Sequence, residues 1–345
     1  MGHNLADFFS GKTVAVTGAC GTVGNALLSR ILDASFGIER IVALDNSESA
    51  LFELVSNHRD KRIEAVFSDI RDYNSLSERL RGVNVLFHCA ALKHVNICEK
   101  SPIDAIRTNV LSTQNVIDAS IENRISDVVF SSSDKAVNPT NVLGASKLLG
   151  EKLMTAAHKR ASQVGTKLMS VRFGNVLGSS GSVFHIFKKQ IKTGSPITIT
   201  NNDMSRFVMT RNQAVDLILD APRISTGGDL VVLKMPAIYI KDLAVAMNNI
   251  YSRNHRSVTP LEMVEIGASF GEKIYEELMN VEEVSRAVDH ENCYRVLPVG
   301  FDASSPQSLK TVSLDRYNSA LEVKLTVEQI EDLIEKSDLK DWWLD

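Results

Sequence analysis

Cysteine is scarce. Four in 345 residues, Cys20, Cys89, Cys98 and Cys293, with no C-x-x-C pair, make no disulfide framework. Free thiols imply a reducing, cytoplasmic setting. A basic excess is also lacking: Lys plus Arg is 38 against 42 Asp plus Glu, a net charge of -4. That excludes the electrostatic footprint of a nucleic-acid binder. The eight histidines are scattered without metal-ligand spacing, and no Cys or carboxylate set completes a site with His88 and His94, so no metal is expected. No apolar run reaches the ~18 residues of a membrane span, and no charged-then-apolar start marks a signal peptide. Repeats and low-complexity segments are absent too. What is present, 44% hydrophobic, 23% charged and 6% aromatic residues, fits a globular chain. It excludes disordered, collagen-like and coiled-coil architectures.

Apolar β-branched runs alternate with helical spacing. Strands are read at Lys12–Thr17, Arg40–Asp45, Ile63–Phe67, Val83–Cys89, Asp127–Ser131 and Lys167–Phe173. Helices are read between them, including Pro102–Glu122 and Gly144–Ala161. Such alternation with short links predicts an α/β fold, a Rossmann-like doubly wound parallel sheet. After Asn175 the alternation breaks at glycines and polar runs. Asp229–Leu233 returns one strand, and the chain from about 237 reads as mostly helical. The expected plan is a nucleotide-binding domain of residues 1–175 plus about 208–236. A smaller, mostly helical substrate-binding lobe of 176–207 and 237–345 completes it.

Gly18-Ala19-Cys20-Gly21-Thr22-Val23-Gly24 lies between a strand and a helix. Glycines let the backbone approach a pyrophosphate, which the helix N-terminus attracts. Gly18, Gly21, Thr22, Val23 and Gly24 are therefore expected at a dinucleotide. Asp45 ends the second strand, 21 residues past Gly24. A carboxylate there accepts from ribose hydroxyls and repels a 2′-phosphate, favouring NAD over NADP. Asp69 and Ile70 follow the third strand, within reach of the adenine.

Spacing of three between the glycines resembles the short-chain dehydrogenase/reductase superfamily. His88-Cys89-Ala90-Ala91 resembles its segment over the nicotinamide ribose, which brings in Ala90 and Ala91, and Asn109, at the position of its structural asparagine, is expected with them among the cofactor-binding residues. That superfamily pairs a Tyr with a Lys four residues on, one helical turn apart. Lys147 fits the lysine, but Leu143 stands at the tyrosine position and cannot move a proton.

Ser131-Ser132-Ser133-Asp134-Lys135-Ala136-Val137-Asn138-Pro139-Thr140-Asn141 precedes that helix. A carboxyl beside an amine can divide acid and base work. This stretch resembles the nucleotide-sugar 4,6-dehydratases of the polysaccharide biosynthesis family that act on N-acetylglucosamine nucleotides. Ala90–Val95, Val171–Gly178, Ser180–Val183 and Met204–Phe207 agree with it. The likeness spans about residues 10–280 and is closest to the catalytic domain of the long, membrane-anchored dehydratases, though this chain shows no membrane portion. It implies catalytic Ser133, Asp134, Lys135 and Lys147, with Lys93 at the cofactor. It implies substrate contacts from Lys93, His94, Asn175, Ser182, Val183, Arg206 and Lys273.

The resemblance implies that NAD takes hydride from sugar C4. Lys135 then removes the C5 proton, Asp134 protonates the departing C6 hydroxyl, and hydride returns to C6. Desolvation and a neighbouring cation, Lys147 or the oxidised nicotinamide, are expected to lower the Lys135 pKa from about 10.4. Asp134, a water or Lys147 are the candidate bases for the C4 hydroxyl. Three positions depart from the relatives: Leu143, His185 for a proline, and Ser269-Phe270-Gly271-Glu272-Lys273 for Arg-Pro-Gly-Glu-Lys. The rival readings are a nucleotide-sugar epimerase and a non-catalytic NAD-binding regulator. A homo-oligomer is expected through the long helices, which carry Ile106, Val110, Leu149 and Leu153.

Overall fold

The computed structural model describes residues 5–33, 36–179, 181–255, 262–267, 272–300 and 312–344. Ser269, Phe270 and Gly271 lie outside the described residues, as does Ser180.

The first half forms β1 (Thr13–Thr17), β2 (Arg40–Asp45), β3 (Ile63–Phe67), β4 (Val85–His88), β5 (Asp127–Ser131) and β6 (Lys167–Arg172). Then come β7 (Asn175–Val176), β8 (Ile197–Ile199), β9 (Ser205–Met209), β10 (Leu230–Leu233) and β11 (Ala237–Tyr239). β12 (Met263–Glu265), β13 (Glu277–Met279), β14 (Ala287–His290), β15 (Cys293–Val296) and β16 (Tyr317–Asn318) complete the strands. The main sheet runs β14-β15-β10-β6-β5-β4-β1-β2-β3. From β3 to β10 all pairs are parallel, and β15 and β14 add an antiparallel hairpin at the far edge.

Period-two side-chain alternation explains the two covered faces. Val14, Val16 and Val129 point into one core with Leu27, Ile31 and Ile218, from the helices Thr22–Asp33 and Arg211–Ile224. Ala15, Val128 and Phe130 point into the other, with Leu76, Val116, Ile117 and Met154 from Tyr73–Arg79, Ser112–Glu122 and Val142–Ser162. Burial on both faces is why these strands read as continuous apolar runs. The sheet is therefore the doubly wound Rossmann type expected, with its order reversing between β1 and β4.

A third core belongs to the lobe. Phe184, Phe187, Ile199, Met204, Leu243, Met247, Ile330, Ile334 and Trp342 pack together there, drawn from positions up to 158 residues apart. Helices Val183–Thr193, Ile240–Asn254 and Val327–Glu335 supply most of it. The last begins with a capping box of Thr326 and Gln329.

Two differences from the sequence reading matter. The stretch Pro102–Glu122 is not one regular helix: a π-helical segment, Ile106–Leu111, interrupts it and carries Asn109. Residues 287–296, read with the lobe, form the β14–β15 hairpin on the main sheet. Its two-residue loop holds Glu291 at φ 32°, a turn that lacks the usual Asn-Gly signature.

Candidate functional site

The parallel strands end together at one edge, where open α/β sheets bind ligands. Two cavities open there. The first, about 750 Å³, is lined along its length by the glycine turn, Asp45, Asp69–Arg71, Cys89–His94, Ser131–Lys135, Leu143, Lys147 and Phe173–Val176. The second, about 670 Å³, opens toward the lobe, with Ser182, Val183, Arg206, Glu272, Lys273 and Glu276 in its wall. Lys93, His94, Lys135 and Asn175 line both, so the cavities meet at the Asp134–Lys135 step.

The glycine turn is shaped for close approach. Gly18 sits at φ 66°, and a Cβ there would lie 2.7 Å from the Ala90 backbone. At Gly24 a Cβ would strike the Gly18 carbonyl. Gly18 and Gly24 thus admit no side chain, and the turn opens at the N-terminus of Thr22–Asp33, where backbone N–H groups attract an anion. Asp45 fixes the turn by accepting from the Cys20 N–H at 3.0 Å, and from the Ser47 N–H at 3.1 Å. Lys93 donates to Thr22 Oγ1 at 3.2 Å, bringing Ala90–Lys93 over the turn. These residues fit a dinucleotide. Arg40 lies at the opposite end of β2 from Asp45 and pairs with Glu64 at 3.1 Å, away from the cavity. Asp69 is held by Arg71, which lowers its pKa and occupies both partners.

Asn109 corrects one expectation. It is buried and does not line either cavity. Its amide brackets Leu92, accepting from the N–H at 2.8 Å and donating to the carbonyl at 3.0 Å, and donates to Ser146 Oγ at 2.9 Å. It shapes the loop that reaches the cavity.

Ser133 caps a short 3-10 turn, Asp134–Ala136, held by the Asp134 N–H bonded to the Phe173 carbonyl. Gly144 lets the following helix press on that turn, since a Cβ would strike the Lys135 carbonyl. Asp134 is buried and accepts from Ser133 Oγ at 2.7 Å, Lys135 Nζ at 3.0 Å and Asn175 Nδ2 at 3.5 Å. Lys147 Nζ donates to the Ser131 carbonyl at 2.8 Å and lies 4.7 Å from the centre of the Phe130 ring. Burial brings its pKa down to about 8. Leu143 lies buried against Cys98 and Ala105, so no phenol stands beside Lys147.

Lys135 departs from expectation. Burial lowers its pKa, but Asp134 and Glu276 outweigh that, and the net direction is upward. The cation that acts on it here is Arg206 rather than the expected Lys147, and its effect is the smaller one.

Glu276 is the residue the sequence reading missed. It is 4% exposed, with Oε1 3.8 Å from Lys135 Nζ and 3.9 Å from Arg206 Nε. Its Oε2 is buried without a hydrogen-bond partner. The only signal was its place three residues after Lys273. Arg206, expected as a substrate contact, is buried. Its guanidinium donates to the carbonyls of Ser205, Lys273 and Ile274 and so holds the 272–276 segment. Lys273 donates to the Val137 carbonyl at 2.8 Å. Ser182 lines the second cavity with a buried, unpartnered Oγ. His185 bonds the Gly178 carbonyl at 3.0 Å.

Behind the site, fully buried Arg172 pairs with Glu151 at 2.5 Å and Glu283 at 2.9 Å. Ser132 Oγ also donates to Glu151 at 2.5 Å. Glu151 lies one turn beyond Lys147, so this network ties the Val142–Ser162 helix, the Ser132–Lys135 loop and the lobe's 278–283 segment together.

Fold and glycine turn define a Rossmann-type protein of the extended short-chain dehydrogenase/reductase class. Within that class the chain belongs to the polysaccharide biosynthesis protein family, which it matches over residues 14–298. It is 40% identical over 305 residues to an uncharacterized membrane protein of Methanocaldococcus jannaschii, spanning 88% of this chain and 91% of that one. It is 38% identical over 333 residues to a UDP-glucose 4-epimerase of Rickettsia rickettsii, spanning 94% and 96%. The X-ray structure of Pen from Bacillus thuringiensis superposes with a TM-score of 0.88 at 37% identity, over 96% of this chain and 99% of that one. Among the described residues no helix is long and apolar enough to cross a membrane.

Proposed function

We propose that this protein is an NAD-dependent nucleotide-sugar 4,6-dehydratase, a lyase that converts UDP-N-acetylglucosamine or a close relative to the 4-keto-6-deoxy sugar nucleotide for polysaccharide or glycan synthesis. One observation carries the reading: the Asp134–Lys135 pair sits where the two cavities meet, beside Lys147 and with leucine at 143. The glycine cradle and Thr22 helix hold the pyrophosphate, and Asp45 accepts from the adenosine ribose. NAD is preferred because the carboxylate of Asp45 repels a 2′-phosphate and Arg71 is engaged by Asp69.

When bound, the nicotinamide accepts a hydride from sugar C4 and returns it to C6. Ser133 Oγ, 2.7 Å from Asp134 Oδ1, relays the C4 hydroxyl proton to Asp134. Lys135, as the neutral amine, takes the C5 proton that the 4-ketone has acidified. Asp134 passes its proton to the departing C6 hydroxyl, which leaves as water. Lys135 returns a proton to C5 as C6 is reduced, so both side chains end in their starting states. Lys147 contacts the nicotinamide ribose, and Asn175 and Ser182 contact the sugar nucleotide from the lobe side.

Epimerization at C4 is the second reading, favoured by the Rickettsia relative. It needs a base at C4 but no elimination acid, and it leaves Lys135 without a task. The test is mass: incubation with UDP-N-acetylglucosamine and NAD yields a product lighter by one water without accumulating reduced cofactor. A product of unchanged mass with C4 inverted establishes the epimerase instead. The four free thiols support a cytoplasmic setting. Exposed Ile103, Ile106, Leu111 and Leu149 on the 102–111 segment and the Val142–Ser162 helix support a homo-oligomer.

A further inference from the structure

The mechanism above requires Lys135 to be a neutral amine before C5 is deprotonated. Its surroundings favour the ammonium. Asp134 Oδ1 lies 3.0 Å from Nζ, and Glu276 Oε1 lies 3.8 Å away on the other side. The amine therefore needs somewhere to leave its proton. Asp134 is poorly placed for this, because its oxygens already accept from Ser133, Lys135 and Asn175 and it has the C4 proton to carry.

We propose that Glu276 is the proton acceptor that discharges Lys135, so that substrate binding converts a lysinium–carboxylate pair into a neutral amine and a carboxylic acid. The inference rests on the dehydratase reading. Three features of Glu276 suit it. The residue is nine-tenths buried in the wall of the lobe cavity. Its Oε2 has no partner, so one oxygen is open to hold a proton. Burial also pushes its pKa up, and Asp134 adds to that, while Lys135, Arg206 and Lys273 oppose it.

The driving force is desolvation. A sugar nucleotide filling the cavity removes the water that still reaches the Lys135 side chain, which is 27% exposed. A charged pair separated by 3.8 Å loses more hydration than its Coulomb attraction restores, whereas the neutral pair loses little. The transfer is balanced: one N–H bond breaks at Lys135 and one O–H bond forms at Glu276. No outside acid or base is needed. Lys135 has only to swing from Asp134 toward Glu276. The charged groups facing the pair are Asp134, Arg206 and Lys273, with Glu272 3.8 Å from Arg206.

This arrangement has a kinetic signature. The reactive form and the resting ion pair contain the same number of protons, so their ratio does not depend on pH between the two macroscopic pKa values of the pair. Exchange of the C5 hydrogen with solvent deuterium in the wild type is therefore flat through the neutral range. In Glu276→Gln the proton must go to solvent, and exchange rises about tenfold per pH unit until Lys135 titrates. Glu276→Asp keeps an acceptor and restores the flat profile at a reduced rate. In parallel, Lys135 is titrated in the ligand-free protein by its reactivity toward a small acylating reagent, read by mass spectrometry. Removing an anionic neighbour lowers that midpoint by about one pH unit in Glu276→Gln. A Glu276→Gln profile that is slower but still flat overturns the proposal, as does an unchanged labelling midpoint. A wild-type protein that removes no water from UDP-N-acetylglucosamine overturns the dehydratase reading, and a lowered labelling midpoint then still upholds the Lys135–Glu276 coupling.

Discussion

Gly18–Gly24 and Asp45 reach the edge of the sheet from one side, and Arg206 and Lys273–Glu276 reach it from the other. The first wall is built locally. A strand end, a turn and a helix start supply it from consecutive residues, and its main contacts come from backbone groups. The second wall is assembled at long range. Arg206 grips backbone carbonyls 67 and 68 residues away, and Lys273 grips one 136 residues away. A local wall depends on backbone shape, which small residues guarantee. The other depends on buried charge, which holds only while every partner is in place. Lys135 stands between them and takes its character from the second: Glu276 and Asp134 together outweigh its burial.

The largest effect that tests this contrast is at Lys135. Lys135→Met removes the proposed C5 base and should lower product formation by about 10²–10⁴-fold. Reduced cofactor and a bound 4-keto sugar should accumulate, because oxidation at C4 does not need the amine. Near wild-type turnover in an assay of water loss would reduce Lys135 to a substrate contact.

Next comes the buried charge network. Arg172→Met leaves Glu151 and Glu283 buried without their cation, which costs about 3–5 kcal/mol. Denaturant unfolding should show the loss, and the Lys147 helix and the lobe should loosen together in hydrogen exchange. A change confined to the lobe would show that the two walls are not coupled through Arg172.

The local wall has its own charge-sensitive point. His88 is fully buried between Thr17 Oγ1 at 2.8 Å and Thr113 Oγ1 at 3.1 Å, and burial, with Lys147 adding to it, lowers its pKa to about 3. A depressed folded-state value means that its contribution is complete above the unfolded value near 6.5 and is lost as pH falls toward 3. Stability should fall by about 1.4 kcal/mol per pH unit from this group within that window. Thermal melts of His88→Gln should show a shallower acid dependence, and an unchanged slope would locate the proton uptake elsewhere.

The smallest effect is at Leu143. Leu143→Tyr adds a phenol where Cys98, Ala105, Leu92 and Val95 already pack, and should cost about 1–3 kcal/mol. The melting temperature should drop with no gain in C4 oxidation. A faster C4 step would mean that the cavity beside Lys147 accommodates a tyrosine base after all.

Legibility followed the same division. The strands of the parallel sheet, the glycine turn, Asp45, Lys147 and the Ser133–Lys135 step all announced themselves, because each is encoded in a short window with its own period or spacing. Asn109 was legible as a residue but not as a role, since its hydrogen bonds to Leu92 and Ser146 cross 17 and 37 residues. The β14–β15 hairpin escaped because four-residue strands around a Glu-Asn loop carry little signal. Glu276 escaped because a glutamate beside a second glutamate looks like a solvated surface until the lobe folds over it.

The sequence by itself determined the doubly wound sheet, the glycine turn and the presence of an acid beside an amine at its edge. These follow from local sterics and from apolar periodicity, which neighbouring residues settle among themselves. Only the tertiary structure decided which way the pKa of that amine moves, because Glu276 and Arg206 join the neighbouring Asp134 from the segment before β13 and from β9, and burial makes their fields strong.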